Sequence, residues 1–144
     1  MNEPIVYSDE QAALLDAHAH ACALSQRYNH ACDELLDGGE LRDRLKVRHE
    51  ALRTLCDTLE ARIRDRGMLP HDINVDREDL ARLADRFREW LDHERHSYLQ
   101  RALADREAEL LDRLEALHDA GINDDAVKEA HAAGRRMIEI LQKD

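Results

Sequence analysis

In the stretch from residue 11 to 37, the positions that a helix would turn towards its neighbours are Leu14, His18, Ala21, Ser25, Tyr28/Asn29, Cys32 and Leu36. The seam is apolar at its ends, and its middle holds an imidazole, a hydroxyl, an amide and a thiol. Groups of that kind, once buried, must be satisfied by one another or by something bound. His18 and Cys22 stand one helical turn apart, a spacing that lets both side chains address one ion. With Glu107 and His131 they form a candidate mononuclear metal site for iron or zinc, which takes three or four ligands of mixed type. The competing chemistry is a charge pair. Arg48 falls between Leu45 and Leu52 in the middle of an apolar face, where an arginine must meet an acid or snorkel outward, and Glu107 is the partner it can reach. Bonded to Asn29 or His18, with Ser25 beside it, this pair makes a structural polar layer that fixes helix register without chemistry. That is the preferred reading of the seam.

Other clusters carry less. Glu115-Ala-Leu-His118 and the looser Glu129-Ala-His131 have the letters of a di-metal motif, but with Leu110, Leu114, Leu117, Val127 and Ile138 inward, Glu115 and Glu129 point to solvent. Glu50-Ala-Leu-Arg53 has arginine where a ligand histidine would be needed. A dinuclear site takes about four carboxylates to neutralise two hard cations. Only Glu107 lies near a core-facing edge, so an intact di-iron site is not expected. His93 and His96 beside Asp92 read as an exposed polar hinge, and His20, His30, His49 and His71 scatter over different faces. Cys22 or Cys56 beside a histidine has the makings of a nucleophile, yet a narrow bundle core is expected to offer a thiolate neither electropositive surroundings nor access. No catalytic residue and no organic cofactor is assigned.

These side chains need helices to position them. Residues 1–7 read as a loose lead-in, and 8–144 as a single domain. Ser8-Asp-Glu-Gln11 has the form of a capping box and starts a helix that runs to about residue 37, where Gly38-Gly39 supplies a tight turn. A second helix spans about 39–66, with Leu41, Leu45, Leu52, Leu55, Cys56, Leu59 and Ile63 on one face, and stops at Gly67 before Pro70. So short a turn makes the two an antiparallel hairpin, which places Cys22 near Cys56 and His18 near the turn from Asp57 to Glu60. From Leu80 to Leu117 there is no Gly or Pro, but the apolar face of Leu80, Leu83, Phe87, Trp90 and Leu91 is rotated from that of Leu99, Leu103, Leu110, Leu114 and Leu117. One straight helix cannot bury both. The break falls at 92–97, leaving a crossover helix at about 76–91 and a third bundle helix at about 97–120. Asn123 is the expected cap of the last helix, 123–143, with Val127, Ala130, Gly134, Ile138 and Leu141 inward.

The predicted fold class is all-α: two antiparallel hairpins joined by a short crossover helix. Gly-Glu-Leu-Arg-Asp at 39–43, Arg-Ile-Arg-Asp-Arg-Gly at 62–67, Leu-Ala-Arg-Leu-Ala-Asp-Arg-Phe-Arg-Glu-Trp-Leu at 80–91 and Asp-Arg-Glu-Ala-Glu-Leu-Leu at 105–111 resemble an uncharacterised bacterial family of four-helix-bundle proteins in the ferritin-like superfamily. The resemblance spans about residues 11–142. It implies a ferritin-like bundle and a small, non-enzymatic cytoplasmic protein with a stress-related role, one that self-associates as a homo-oligomer or binds a protein partner. The alternative is a metal-binding or redox protein with its site in the bundle core. A third possibility is a helical adaptor or export-type chaperone using the strip around Phe87, Trp90 and Leu91.

Composition narrows the partners. The chain has 144 residues, with 32 acidic against 21 Lys and Arg, and its formal charge of −11 repels phosphate backbones and anionic lipid surfaces. Neither nucleic acid nor membrane is expected as a partner, and no apolar run approaches the ~18 residues that span a bilayer. Three cysteines, an odd number, and no secretory pattern at the start fit a reducing cytoplasm.

Overall fold

The computed structural model describes residues 8–34, 39–70, 95–122 and 124–142, which form four helices: α1 (Asp9–Glu34), α2 (Glu40–Asp65), α3 (Arg95–Asp119) and α4 (Asp125–Gln142). There is no strand among the described residues, so the architecture is an all-α bundle. The lead-in, residues 35–37 of the first expected helix, the crossover helix at 76–91 with Phe87, Trp90 and Leu91, His93, and the last two residues lie outside the described residues. So does Asn123.

The helix ends follow local chemistry. At the start of α1 the Ser8 N–H donates to Gln11 Oε1 at 3.0 Å and the Gln11 N–H donates to Ser8 Oγ at 3.2 Å, a complete capping box. α2 closes on Gly67, whose positive φ of 74° lets Gly67 N–H reach Arg64 O at 2.9 Å and Met68 N–H reach Ile63 O at 3.1 Å. This is the paired closure of a Schellman motif. α3 ends the same way at Gly121, with Ile122 N–H on Leu117 O at 2.9 Å and both side chains buried. α4 is capped by Asp124, whose Oδ1 accepts from Val127 N–H at 3.1 Å. A carboxylate there answers both the unpaired amide and the positive end of the helix dipole.

α1 is the central helix because it carries two apolar stripes. It packs against α2 on one side and α3 on the other, while α3 packs on α4. Cys32 meets Arg42 near one end and Glu10 meets Arg66 near the other, so α1 and α2 run antiparallel. Tyr28 with Glu107 and Asp16 with Arg113 set α1 antiparallel to α3. The leucine faces expected of α2 and α3 are buried together with Leu14, Leu15 and Leu24 of α1, except that Leu41, in the first turn of α2, is only partly buried, each fully buried side chain contributing about 1.5–3 kcal/mol on removal from water. α4 buries Val127, Gly134, Met137 and Leu141, and Ile138 is only partly buried, contrary to expectation. Residues 137 and 138 differ by about 100° around the axis. α4 leans on α3 and barely touches α2, which turns that face towards Met137.

Candidate functional site

The deepest polar group in the core is Glu107 of α3, fully buried among leucines. Arg48 of α2 meets it with a bidentate pair, Nε to Oε1 at 2.8 Å and Nη2 to Oε2 at 2.8 Å. Tyr28 of α1 donates its hydroxyl to Oε1 at 2.7 Å. Gly134 of α4 completes the level: a Cβ there would stand 2.8 Å from Leu111 Cδ2, 3.5 Å from Glu107 Oε2 and 3.6 Å from Arg48 Nη2. One residue from each helix therefore builds a single layer. Glycine in mid-helix costs about 1 kcal/mol relative to alanine, and here it makes room for the guanidinium and carboxylate.

The electrostatics of the layer are closed. Burial opposes the Arg48 charge, but the hydrogen bonds and negative charge of Glu107 outweigh it and hold the guanidinium above its ordinary pKa. Burial and the adjacent Glu107 carboxylate push the Tyr28 phenol up, so it stays a neutral donor. Asn29, expected in this layer, is exposed and contributes nothing to it. The place is taken by Tyr28, one residue earlier and on the α3-facing stripe. Ser25 is buried but bonds elsewhere: its Oγ lies 3.1 Å from His49 Nδ1, and that nitrogen lies 2.8 Å from Ser25 O, stitching α1 to α2.

A second polar cluster sits on the α1–α2 seam, about 9 Å along the axis from Tyr28 by helical rise. His18 is buried and its Nε2 stands 3.5 Å from Cys22 Sγ. Cys56 of α2 lies beside Cys22 across the seam. The neighbouring Cys56 thiol and the His18 imidazole outweigh burial and the nearby Glu60 carboxylate and lower the Cys22 thiol from 9.0 to about 5. Cys56 is pushed up by Cys22 and by burial. Cys22 is only partly buried and an imidazole lies against it, while the charged side chains nearby, Glu60 and Asp57, are acidic. Cys32 differs, since burial raises its pKa and its sulfur faces Arg42 O at 3.9 Å.

The four candidate metal ligands are not brought together. His18 and Cys22 share the α1–α2 seam, Glu107 is held in the buried layer, and His131 bonds the exposed Glu115 at 3.2 Å in the α3–α4 groove. Among the described residues no group of three or more His, Cys, Asp or Glu side chains is arranged to hold a metal ion. No known protein family, curated protein or solved structure matches the chain. The functional argument therefore rests on geometry.

Sequence reasoning missed three participants. Tyr28 is visible in the sequence only as one of two adjacent alternatives on the seam. His49 carries no sequence signal of its own, although a half-buried histidine on the α2 face opposite Ser25 has a partner within reach. Gly134 reads as inward packing, and its role as a space for the charge pair depends on the Arg48 and Glu107 positions.

Beside the sites lies a groove of about 560 Å³ between α2 and α4, lined by Val47, Ala51, Ala133, Met137 and Ile140 and edged by charged residues including Asp43 and Arg136. Val47 is 70% exposed there. Among the described residues no helix is long and apolar enough to cross a membrane.

Proposed function

We propose that the chain is a small, non-enzymatic ferritin-like bundle of the cytoplasm, in which the Tyr28–Arg48–Glu107 layer replaces a di-metal centre and which acts by associating with itself or with another protein. The observation that carries this reading is that both carboxylate oxygens of Glu107 are occupied by protein donors. The one deep inward carboxylate is therefore already satisfied, and a cation would have to displace a guanidinium from it. The arrangement of the helix ends supports the topology. α2 ends beside Glu10, while α3 begins near the other end, where Leu99 and Leu103 lie against His30 and Ala31. Helix ends placed in this way suit a fold with one long crossover.

The α2–α4 groove is the face that fits an association role, because its apolar floor with a charged rim is the anatomy of a protein-binding patch. The charge of −11 disfavours nucleic acid and anionic membranes as partners. Light scattering across a dilution series tests self-association: a dimer or larger species at high concentration that dissociates on dilution, and that Val47→Arg weakens, is expected. A monomer at every concentration removes self-association. Elemental analysis after growth with added iron and zinc tests the replaced centre, with substoichiometric metal expected. Stoichiometric metal that Glu107→Gln abolishes would overturn the reading.

The alternative, a metal-binding or redox protein using His18, Cys22, Glu107 and His131, keeps one favourable observation. His18 and Cys22 are in contact, beside Cys56.

A further inference from the structure

We infer that the α2–α4 groove binds the same groove of a second copy of this chain, across a two-fold axis parallel to the helices, so that Asp43 of each copy meets Arg136 of the other. The inference rests on the association role proposed above and names its partner.

The bundle leaves this side open. α1 packs closely on α2 and α3, and α3 on α4, whereas α2 and α4 make only slight contact along a groove of about 560 Å³. Val47 and Leu69 are the two large apolar side chains exposed among the described residues, and Val47 stands in that groove beside Ala51 of α2 and Ala133 and Ile140 of α4.

Charge decides which partner fits. On the α2 rim Arg44 pairs with Glu40 at 2.8 Å, and Arg48 is bound to Glu107 in the core. Asp43 on the α2 rim and Arg136 on the α4 rim are both exposed, and neither side chain makes an ion pair or hydrogen bond among the described residues. One rim therefore offers an unmatched acid where the other offers an unmatched base, so the face complements itself. The chain's −11 attracts strongly basic partners as a whole, but such a partner meets Arg136 here as a like charge. Between two copies the same −11 is repulsive, yet it is screened beyond about 10 Å at 0.1 M salt, which leaves the pairs at the contact to decide.

Geometry lets those pairs form. Gly134 lies against Arg48 and Asp124 pairs with Arg62, so α2 and α4 run antiparallel. Counted from the Arg48–Gly134 level at about 1.5 Å per residue, Asp43 and Arg136 stand within about one helical turn of the same height. Rotation about an axis parallel to the helices keeps every residue at its height and sets α2 of one copy opposite α4 of the other. Asp43 then faces Arg136 at two equivalent places, and Val47 faces the strip of Ala133 and Ile140. The contact is isologous and closes at two copies. Its area is modest: the 18 residues of α4 give a face about 27 Å long and roughly two helix diameters wide, hence roughly 500 Å² per copy against about 800 Å² in a tight complex. Such an area supports a dimer that separates on dilution.

The test exchanges the two charges in the full chain and follows mass against concentration by sedimentation at 0.1 M salt. Asp43→Arg sets arginines against each other at both contacts, and Arg136→Asp sets aspartates against each other. Each alone should raise the dimer dissociation constant about tenfold or more. Mixing the two variants in equal amounts should restore association as a dimer holding one of each, and so should both exchanges in one chain. Asp43→Asn and Arg136→Gln should each weaken the dimer about threefold, a ranking that still decides if an exchanged chain fails to fold. A dimer indifferent to all these changes uses another face, which overturns the inference and leaves self-association standing. Growth past two copies overturns the isologous contact. A monomer at every concentration removes self-association as well; a Val47→Cys thiol then shielded from maleimide assigns the groove to another part of this chain, and a reactive one leaves it to a different protein.

Discussion

Two polar clusters share one narrow core, and they differ in how completely they are satisfied. In the Tyr28–Arg48–Glu107 layer every charged group meets a matched partner from another helix, and Gly134 comes close against both charges. In the His18–Cys22–Cys56 cluster one imidazole nitrogen is buried unpaired and one thiol is only partly buried, with its pKa lowered. A closed network of this kind holds helix register and resists a ligand, because any newcomer must first break charge-assisted bonds. An open cluster is stabilised less by its own contacts, because a buried polar atom left unpaired keeps its full desolvation cost. Burial of polar residues is therefore a poor guide to function by itself; the residual hydrogen-bonding capacity is what separates the two regions.

The comparison breaks most sharply at Glu107. Glu107→Ala leaves the Arg48 guanidinium buried without its partner and should cost about 3–5 kcal/mol, measured as a shift of the urea midpoint at unchanged slope. Replacing the whole network by Arg48→Met, Glu107→Leu and Tyr28→Phe together should cost less than Glu107→Ala alone, because no buried charge is stranded. Equal losses would mean that the pair contributes by net attraction and not by the penalty of separation. Tyr28→Phe on its own removes one hydrogen bond to a carboxylate and should cost about 1.5–3 kcal/mol. A loss near zero would show that water replaces the phenol and that the layer is not closed.

Asp124→Ala sharpens the contrast with a surface network. Asp124 accepts from Val127 N–H and from Arg62 Nε of α2 at 2.9 Å, and these together hold its carboxyl below the usual range despite the opposing effect of burial. The expected cost is about 1 kcal/mol, typical of an N-cap. A depressed folded-state pKa contributes stability that is present above the ordinary aspartate value near 4 and is lost as pH falls through the folded value. The gap between wild type and Asp124→Ala should thus be constant at neutral pH and shrink below about pH 4. A gap that persists in acid would show that the cap acts without its charge.

How much of this is legible in the sequence depends on whether a residue's environment is set along one helix or between two. The Ser8–Gln11 box and the Gly67 and Gly121 stops are local, and the residues that make them also announce them. The Arg48–Glu107 pair is readable because an arginine between Leu45 and Leu52 demands an acid and α3 has one inward carboxylate. The choice between Tyr28 and Asn29 is not readable. The two differ by one step around a helix that packs on both α2 and α3, so the period fits either. Ser25 with His49 and the exposure of Cys22 depend on the relative rotation of α1 and α2, which a hairpin register of about one turn does not specify.

The smallest expected effect tests the open cluster in the currency of the closed one. Cys22 has its folded pKa lowered from 9.0 to about 5, so its ionisation adds stability that begins as pH rises past 5 and is fully present above the ordinary thiol value. Cys56 works in the opposite direction above that value, because its raised pKa keeps a proton that the unfolded chain releases. Under reducing conditions, the stability difference between wild type and Cys22→Ser should therefore widen from pH 5 to about pH 8.5 and flatten or narrow beyond it. Solvent screening at a partly exposed thiol keeps the whole difference small against the loss at Glu107. A difference that stays flat across this window would mean that Cys22 carries an ordinary thiol and that the unpaired His18 nitrogen alone separates the seam from the closed layer.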